Sequence, residues 1–252
     1  MASPCTTTCK PALVFVHGWS CDRSYWSHQT SYFAARHQVV AVDLAGHGAS
    51  GMGRASWTMP AFGEDVVAVV EQLGLDDMIL IGHSMGGDVI VEAALRLPGR
   101  VIGLVWVDTY TKLDDPLTDG EIQSFVAPFR EDFAAATQDL IRQMFLPGSD
   151  ADLVERVVTD MSSAPPVIAI DAIGYSIGNI PGVVAGLRRL KLPAVAINPD
   201  SRPTDVEGLA RHGVATVLMP GVGHFLMLED PPAFNQLLTE MIDRFQAPTR
   251  EG

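Results

Sequence analysis

The chain has 252 residues, of which 47% are hydrophobic and 19% are charged, and its formal net charge is -13. This composition is typical of a globular chain with a sizeable core, and it excludes a disordered protein. So acidic a surface repels nucleic acid and anionic membranes, so we expect neither as a partner. The odd count of three cysteines argues against a disulfide framework.

Short apolar runs recur along the whole chain and predict its strands. They lie at 12–16, 39–44, 78–81, 101–107, 194–197 and 216–219. Continuous apolar runs of this length suit strands that are buried on both faces of a parallel sheet. Apolar residues at helical spacing predict helices at 57–73, 86–97 and 232–245. The alternation predicts an α/β fold with a mostly parallel, doubly wound sheet of about six strands.

One long region, between about 110 and 191, contains no strand-like run. Its patterns predict helices at 121–129, 131–145, 150–161 and 166–177, with breaks at 147–148 and 180–182. An insertion of this length is either a structural decoration or a cap over the carboxyl ends of the strands, where open α/β sheets bind ligands. We favour the cap, which gives a core domain at 1–110 and 191–252 and a helical cap at 111–190.

The strongest chemical signal is a serine between two glycines, in Gly82-His83-Ser84-Met85-Gly86. A predicted strand runs directly into this segment and a predicted helix follows it. A turn this tight leaves no room for side chains beside the serine, and it lifts the Ser84 hydroxyl clear of the sheet at the helix N-terminus. Ser84 is therefore the predicted nucleophile.

A serine hydroxyl needs a base, and two loops at the predicted carboxyl edge of the sheet supply candidates for its partners. His224 follows the last strand-like run on a glycine-flanked loop, which predicts it as the general base. Gly18 follows the first strand and lets the backbone turn, so the amides of Trp19 and Met85 are the predicted oxyanion donors. His17, like Asp43 and His47 in the loop after the second strand, is interpreted as a residue that fixes loop geometry.

The motifs together resemble those of the α/β-hydrolase superfamily, in its capped and cofactor-free group of small serine esterases and related hydrolases. The matching segments are HGW at 17–19, DLAGHGAS at 43–50, GHSMGG at 82–87 and GVGHFLMLEDP at 221–231. The resemblance implies the fold, the roles of Ser84 and His224, and a mechanism through an acyl-enzyme. The segment before Ala12 is too short for the opening hairpin that is usual in the family.

The sequence offers more than one candidate for the acid that orients His224. Family members usually place it just after the penultimate strand, where this chain has Arg202, which cannot do this work. Asp200 and Asp205 lie nearby but out of register. Asp108, at the end of the strand before the insertion, preserves the order Ser, Asp, His. We expect Asp108, with Asp200 and Asp205 as alternatives.

These observations predict an enzyme that hydrolyses small carboxylic esters or lactones through Ser84. The alternatives are a cofactor-free perhydrolase that uses peroxide with the same residues, and a small-ligand sensor on the same fold.

Cys5 and Cys9 lack a second Cys or His pair, so we expect neither a metal nor a cofactor. Without an apolar run of signal-peptide or transmembrane length, we expect a cytoplasmic protein, while the sequence does not indicate an oligomeric state.

Overall fold

The computed structural model describes residues 10–246, so Cys5 and Cys9 lie outside the described residues. Six strands form one sheet in the order β2-β1-β3-β4-β5-β6, and every pair is parallel. They are β1 (Ala12–Val16), β2 (Val39–Val42), β3 (Met78–His83), β4 (Val101–Val107), β5 (Ala194–Pro199) and β6 (Val214–Met219). The predicted parallel sheet of six strands is confirmed.

Burial along the strands follows their place in the sheet. All residues of β1, β3 and β5 are buried, whereas the edge strands β2 and β6 have partly exposed residues. Helices cover both faces of the inner strands, which explains why these strands read as unbroken apolar runs. Val16 lies beside Val42 on one side and Gly82 on the other, so the loops that follow β1, β2 and β3 emerge at one edge.

Within residues 10–246, six α-helices lie outside the segment between β4 and β5, where they link the strands or follow the last of them. They are α1 (Ser27–Phe33), α2 (Met59–Leu73), α3 (Met85–Arg96), α9 (Val206–Arg211), α10 (Leu226–Glu229) and α11 (Pro231–Gln246). Gly63 on α2 permits close packing against α3, since a Cβ there would lie 2.7 Å from the Cβ of Glu92. The helices predicted at 57–73, 86–97 and 232–245 are present as α2, α3 and α11, and α1, α9 and α10 are additional to them.

Five helices lie between β4 and β5, where the sequence predicts four. They are α4 (Asp119–Glu131), α5 (Phe133–Gln143), α6 (Ala151–Ser162), α7 (Pro166–Ile177) and α8 (Ile180–Leu190). Sequence analysis takes Pro181 as part of a break, but proline is well tolerated in the first turn of a helix, and Pro181 lies there in α8. Gly186 of α8 faces Val91 of α3, so α8 packs against α3 within the crossover that joins the parallel strands β4 and β5.

The lengths and composition of the helices also bear on membrane insertion. Within residues 10–246, no single helix is long and apolar enough to cross a bilayer, and one bent pair, α7 with α8, passes by length and composition only.

Candidate active site

The turn from β3 into α3 places Ser84 in a strained backbone conformation, with φ 51° and ψ -121°. The two flanking glycines are required sterically. A Cβ at Gly82 would lie 2.3 Å from the carbonyl oxygen of Gly86, and a Cβ at Gly86 would lie 2.5 Å from that of Val16. Ser84 is the only half-buried residue among fully buried neighbours from 82 to 86, so the strained turn presents its side chain at the surface of a crowded region.

The loop that carries His224 is held by main-chain hydrogen bonds. The His224 amide donates to the carbonyl oxygen of Met144 at 2.9 Å, a residue of the segment between α5 and α6. The Glu229 carboxylate accepts from the amides of Gly223 and Phe225, each at about 3.1 Å. His224 itself is 9% exposed. The inserted helices therefore help to fix the position of this histidine.

His224 and Asp108 are brought together by the structure. The Nδ1 atom of His224 donates to Oδ2 of Asp108 at 2.6 Å, and Asp108 is buried at the end of β4. Arg202 forms an ion pair with the same oxygen. Burial alone would raise the pKa of the Asp108 carboxyl, but His224 and Arg202 together hold that pKa below its usual value. Asp108 is therefore an ionised partner for the imidazole.

The two alternative acids lie elsewhere. Asp205 caps the N-terminus of α9, where its side chain accepts from the amide of Gly208 at 2.8 Å. Asp200 has an exposed side chain, and its amide donates to the carbonyl oxygen of Met219. Neither carboxylate bonds to His224 within residues 10–246. Of the three carboxylates considered, only Asp108 contacts the imidazole.

His83 connects Ser84 to His224, although no hydrogen bond joins Ser84 and His224 directly in the described residues. The Nε2 atom of His83 donates to the carbonyl oxygen of His224 at 3.0 Å, and the two rings lie 4.6 Å apart. Burial, and then His224, lower the pKa of His83 to about 3, so this ring is neutral. The residue before the predicted nucleophile thus contacts the predicted base.

The predicted oxyanion loop lies against Ser84. A Cβ at Gly18 would lie 2.8 Å from Nδ1 of the buried His83 ring and 3.3 Å from the Cβ of Ser84, so a side chain at this position would crowd the turn. The Trp19 indole donates to the carbonyl oxygen of Ala169 on α7 at 2.7 Å. Among the loop, turn and cap bonds of residues 10–246, none uses the amide of Trp19 or Met85 as a donor. Both amides remain available to a ligand.

His17 organises the same edge of the sheet. Its Nδ1 atom donates to the carbonyl oxygen of Gly18 at 2.8 Å, while its Nε2 atom accepts from the amide of Leu44 at 3.1 Å. Burial, and then His47, lower its pKa to about 3. A neutral ring that links two loops agrees with its interpretation as a residue that fixes loop geometry.

Ser84 opens into a cavity of about 420 Å³ between the sheet edge and the inserted helices. Its lining includes Met85, Asp88, Tyr110 and Arg202. His224 lines a separate cavity of about 200 Å³, which Arg202 also borders. Arg202 is thus common to both cavities. No group of three or more His, Cys, Asp or Glu side chains within residues 10–246 is placed to hold a metal.

Asp88 is a buried carboxyl in the Ser84 cavity, one helical turn beyond Ser84. Tyr110 donates to its Oδ1 atom at 2.5 Å and Ser176 of α7 donates to its Oδ2 atom at 2.7 Å. Burial raises its pKa to about 7, although these hydrogen bonds oppose the shift. Asp88 therefore connects α3 to the inserted helix α7 through a carboxyl whose pKa lies near neutral pH.

Several residues that complete this arrangement have no role predicted from the sequence. They are His83, Asp88, Met144, Arg202 as a partner of Asp108, and Glu229. His83 and Glu229 lie within the quoted motifs at 82–87 and 221–231, but nothing in those motifs indicated what the two side chains contact. Nothing in the sequence around Met144 points to its main-chain contact, because any residue provides a carbonyl oxygen.

The chain matches the model of the alpha/beta hydrolase family over residues 13–237, and it belongs to this family. The fold and the order of the motifs agree with that assignment.

Particular relatives differ in their named activities. The chain is 25% identical to 3-oxoadipate enol-lactonase 2 of Acinetobacter baylyi, over 94% of this chain and 90% of the relative. It is 36% identical to a non-heme chloroperoxidase of Streptomyces lividans, over 38% of this chain and 35% of the relative. A thermophilic esterase from Thermogutta terrifontis has a similar fold, with a TM-score of 0.80, 22% identity and coverage of 95% and 92% of the two chains.

Proposed function

We propose that the protein is a serine hydrolase that cleaves small carboxylic esters or lactones through an acyl-enzyme on Ser84. The observation that carries this proposal is the 2.6 Å bond between His224 and Asp108 beside the strained turn of Ser84. The full-length similarity to an enol-lactonase, whose named substrate is a cyclic ester, supports the ester class.

The proposed reaction uses these side chains in two half-reactions. Ser84 Oγ attacks the substrate carbonyl carbon while Nε2 of His224 takes the hydroxyl proton, and the amides of Trp19 and Met85 stabilise the oxyanion. His224 then returns the proton to the leaving alcohol, and the Oγ–acyl bond is complete. Water, deprotonated by His224, then attacks the acyl carbon; the Oγ–acyl bond breaks, His224 returns the proton to Ser84 Oγ, and the acid is released. Asp108 holds the imidazole in the required tautomer throughout.

We further propose that residues 111–190 act as a cap over this site. Contacts from this region to the Trp19 indole, the His224 amide and the Asp88 carboxyl support the assignment. The Ser84 cavity lies between the cap and the sheet edge, and its volume suits a small ester. The proposed partner is a small-molecule substrate, without nucleic acid or membrane, and the proposed location is the cytoplasm.

Replacement of the nucleophile tests the proposal directly. Ser84→Ala removes the attacking oxygen, so we expect kcat for p-nitrophenyl acetate to fall at least about 10³-fold. Ser31→Ala, an exposed serine on α1, is the matched control and is expected to retain the wild-type rate. Wild-type turnover by Ser84→Ala would disprove the mechanism. Negligible turnover by the unmodified protein, together with ligand-dependent binding of a partner, would favour a sensor.

A perhydrolase is the second candidate, because a relative over part of the chain is named a non-heme chloroperoxidase. In this reaction hydrogen peroxide replaces water and attacks the acyl carbon on Ser84, which yields a peracid. A halogenation assay with peroxide, bromide and acetate separates the two functions. Peracid-dependent bromination faster than ester hydrolysis would favour the perhydrolase.

A further inference from the structure

One oxygen of Asp108 is shared by two donors. The imidazole of His224 and the guanidinium of Arg202 both contact Oδ2, whereas the buried Oδ1 atom has no hydrogen-bond partner in the described residues. Two donors on one carboxylate oxygen compete for the same charge. A change at either donor must therefore alter the bond of the other.

Arg202 reaches this oxygen from the outside of the protein. Its side chain is 49% exposed, while that of Asp108 is fully buried. It also borders both the cavity that contains Ser84 and the cavity that contains His224. Arg202 therefore links a buried carboxylate to solvent at the place where the two cavities meet.

The other groups around the pair leave Arg202 as the positive charge on Asp108. From β3 comes His83, which is neutral, and from α10 comes Glu229, whose carboxylate accepts from main-chain amides of the His224 loop. The segment between α5 and α6 contributes the uncharged Met144 and Phe145. On the far side of Arg202, the Ser84 cavity contains Asp88 and the ion pair of Lys112 with Asp115.

We propose that Arg202 is a positioning residue of the active site, which shares Asp108 with His224 and so sets the pH range in which His224 acts as a base. This inference rests on the proposed function of His224. The sign follows from the charges. Arg202 neutralises part of the charge on Asp108 and also disfavours a second positive charge beside it, so it favours the neutral imidazole that accepts a proton from Ser84.

Histidine titration by NMR tests the inference without a substrate. In Arg202→Gln we expect the titration midpoint of the His224 ring to move upward, because the positive charge that opposes its protonation is lost. Arg202→Lys keeps the charge and is expected to stay close to the wild-type midpoint. Arg211→Gln is the matched control, since it removes one exposed arginine whose partners are Asp114 and Asp205 rather than Asp108. His224→Gln assigns the resonance.

The pH profile of ester hydrolysis supplies a second readout. The acidic limb of kcat/KM in Arg202→Gln should move upward in pH together with the NMR midpoint. An unmoved midpoint in Arg202→Gln, or an equal movement in Arg211→Gln, would overturn the inference. Failure of the proposed function would instead appear as turnover that survives Ser84→Ala, and the NMR result would stand apart from it.

Discussion

At the scale of single residues, the carboxylate of Asp108 lies where a strand end, a histidine loop and an arginine meet. It comes directly after β4, which pairs with β3, the strand that leads to Ser84. The residue lies in the left-handed region with φ 48°, which is uncommon for an aspartate and is maintained by its surroundings. The acid and the predicted nucleophile therefore follow adjacent strands.

Replacement of Asp108 tests which of the candidate carboxylates orients His224. Asp108→Asn keeps the shape but loses the charge that stabilises the imidazolium, so we expect kcat to fall by roughly 10³-fold or more. Asp200→Asn, at an exposed carboxylate, is the matched control and should stay within about twofold of the wild-type rate. Steady-state ester hydrolysis measures both. A larger loss in Asp200→Asn would exclude the proposed role of Asp108.

The two glycines that flank the Ser84 turn, Gly82 and Gly86, give a prediction about stability. Gly82→Ala would place a Cβ against backbone atoms of Gly86 that cannot move aside, so we expect a loss of about 1–3 kcal/mol in the free energy of unfolding. Gly51→Ala is the control, since a Cβ there meets nothing within 4 Å. Urea unfolding of the two variants gives the comparison. Equal stability of both would show that the turn relaxes at little cost.

At the scale of elements, Asp88 joins α3 to α7 through a buried carboxyl. Because its folded pKa is raised to about 7, the neutral acid is favoured in the fold. Its contribution to stability is present below the usual carboxyl pKa near 4 and is lost as the pH rises through 7. The junction between core and insertion should therefore weaken from acidic to neutral pH.

Urea unfolding between pH 4.5 and 8 checks this junction. Asp88→Asn removes the titration, so its free energy of unfolding relative to the wild-type protein should rise with pH, by roughly 2–3 kcal/mol. Comparison of the two proteins at each pH cancels the effects of His17 and His83, which titrate in both. Asp115→Asn, at an exposed carboxylate, is the control. A difference that does not depend on pH would contradict the assignment.

The sequence could predict the strands because each inner strand is buried on both faces. It predicted α4 to α7 from apolar spacing, but it missed α8, where Pro181 and Gly182 read as a break. Asn179 explains the local geometry, since its side-chain oxygen would lie 2.5 Å from a Cβ at Gly182. A glycine that makes room for a neighbouring side chain is indistinguishable, in the sequence, from one that ends a helix.

At the scale of the whole molecule, the positions of Ser84 and His224 could be predicted because local motifs define them. For the acid that orients His224 the sequence leaves three candidates, Asp108, Asp200 and Asp205, and it predicts no contact between Asp108 and Arg202. The contacts of Asp108 join residues 94 and 116 positions away in the chain, Arg202 and His224. The same holds for Met144, whose part is played by a carbonyl oxygen. Local sequence patterns do not predict which distant segments of the chain come into contact at the carboxyl edge of the sheet.

The bond from the His224 amide to Met144 has a consequence for how such a protein can diversify. If the inserted helices only covered the cavity, exchange of that segment between relatives would alter selectivity and leave the rate of bond cleavage intact. Here the same segment also holds the loop of His224, the proposed base. Grafting a different cap onto this core is therefore expected to change turnover and substrate range together, so the two properties cannot be inherited separately.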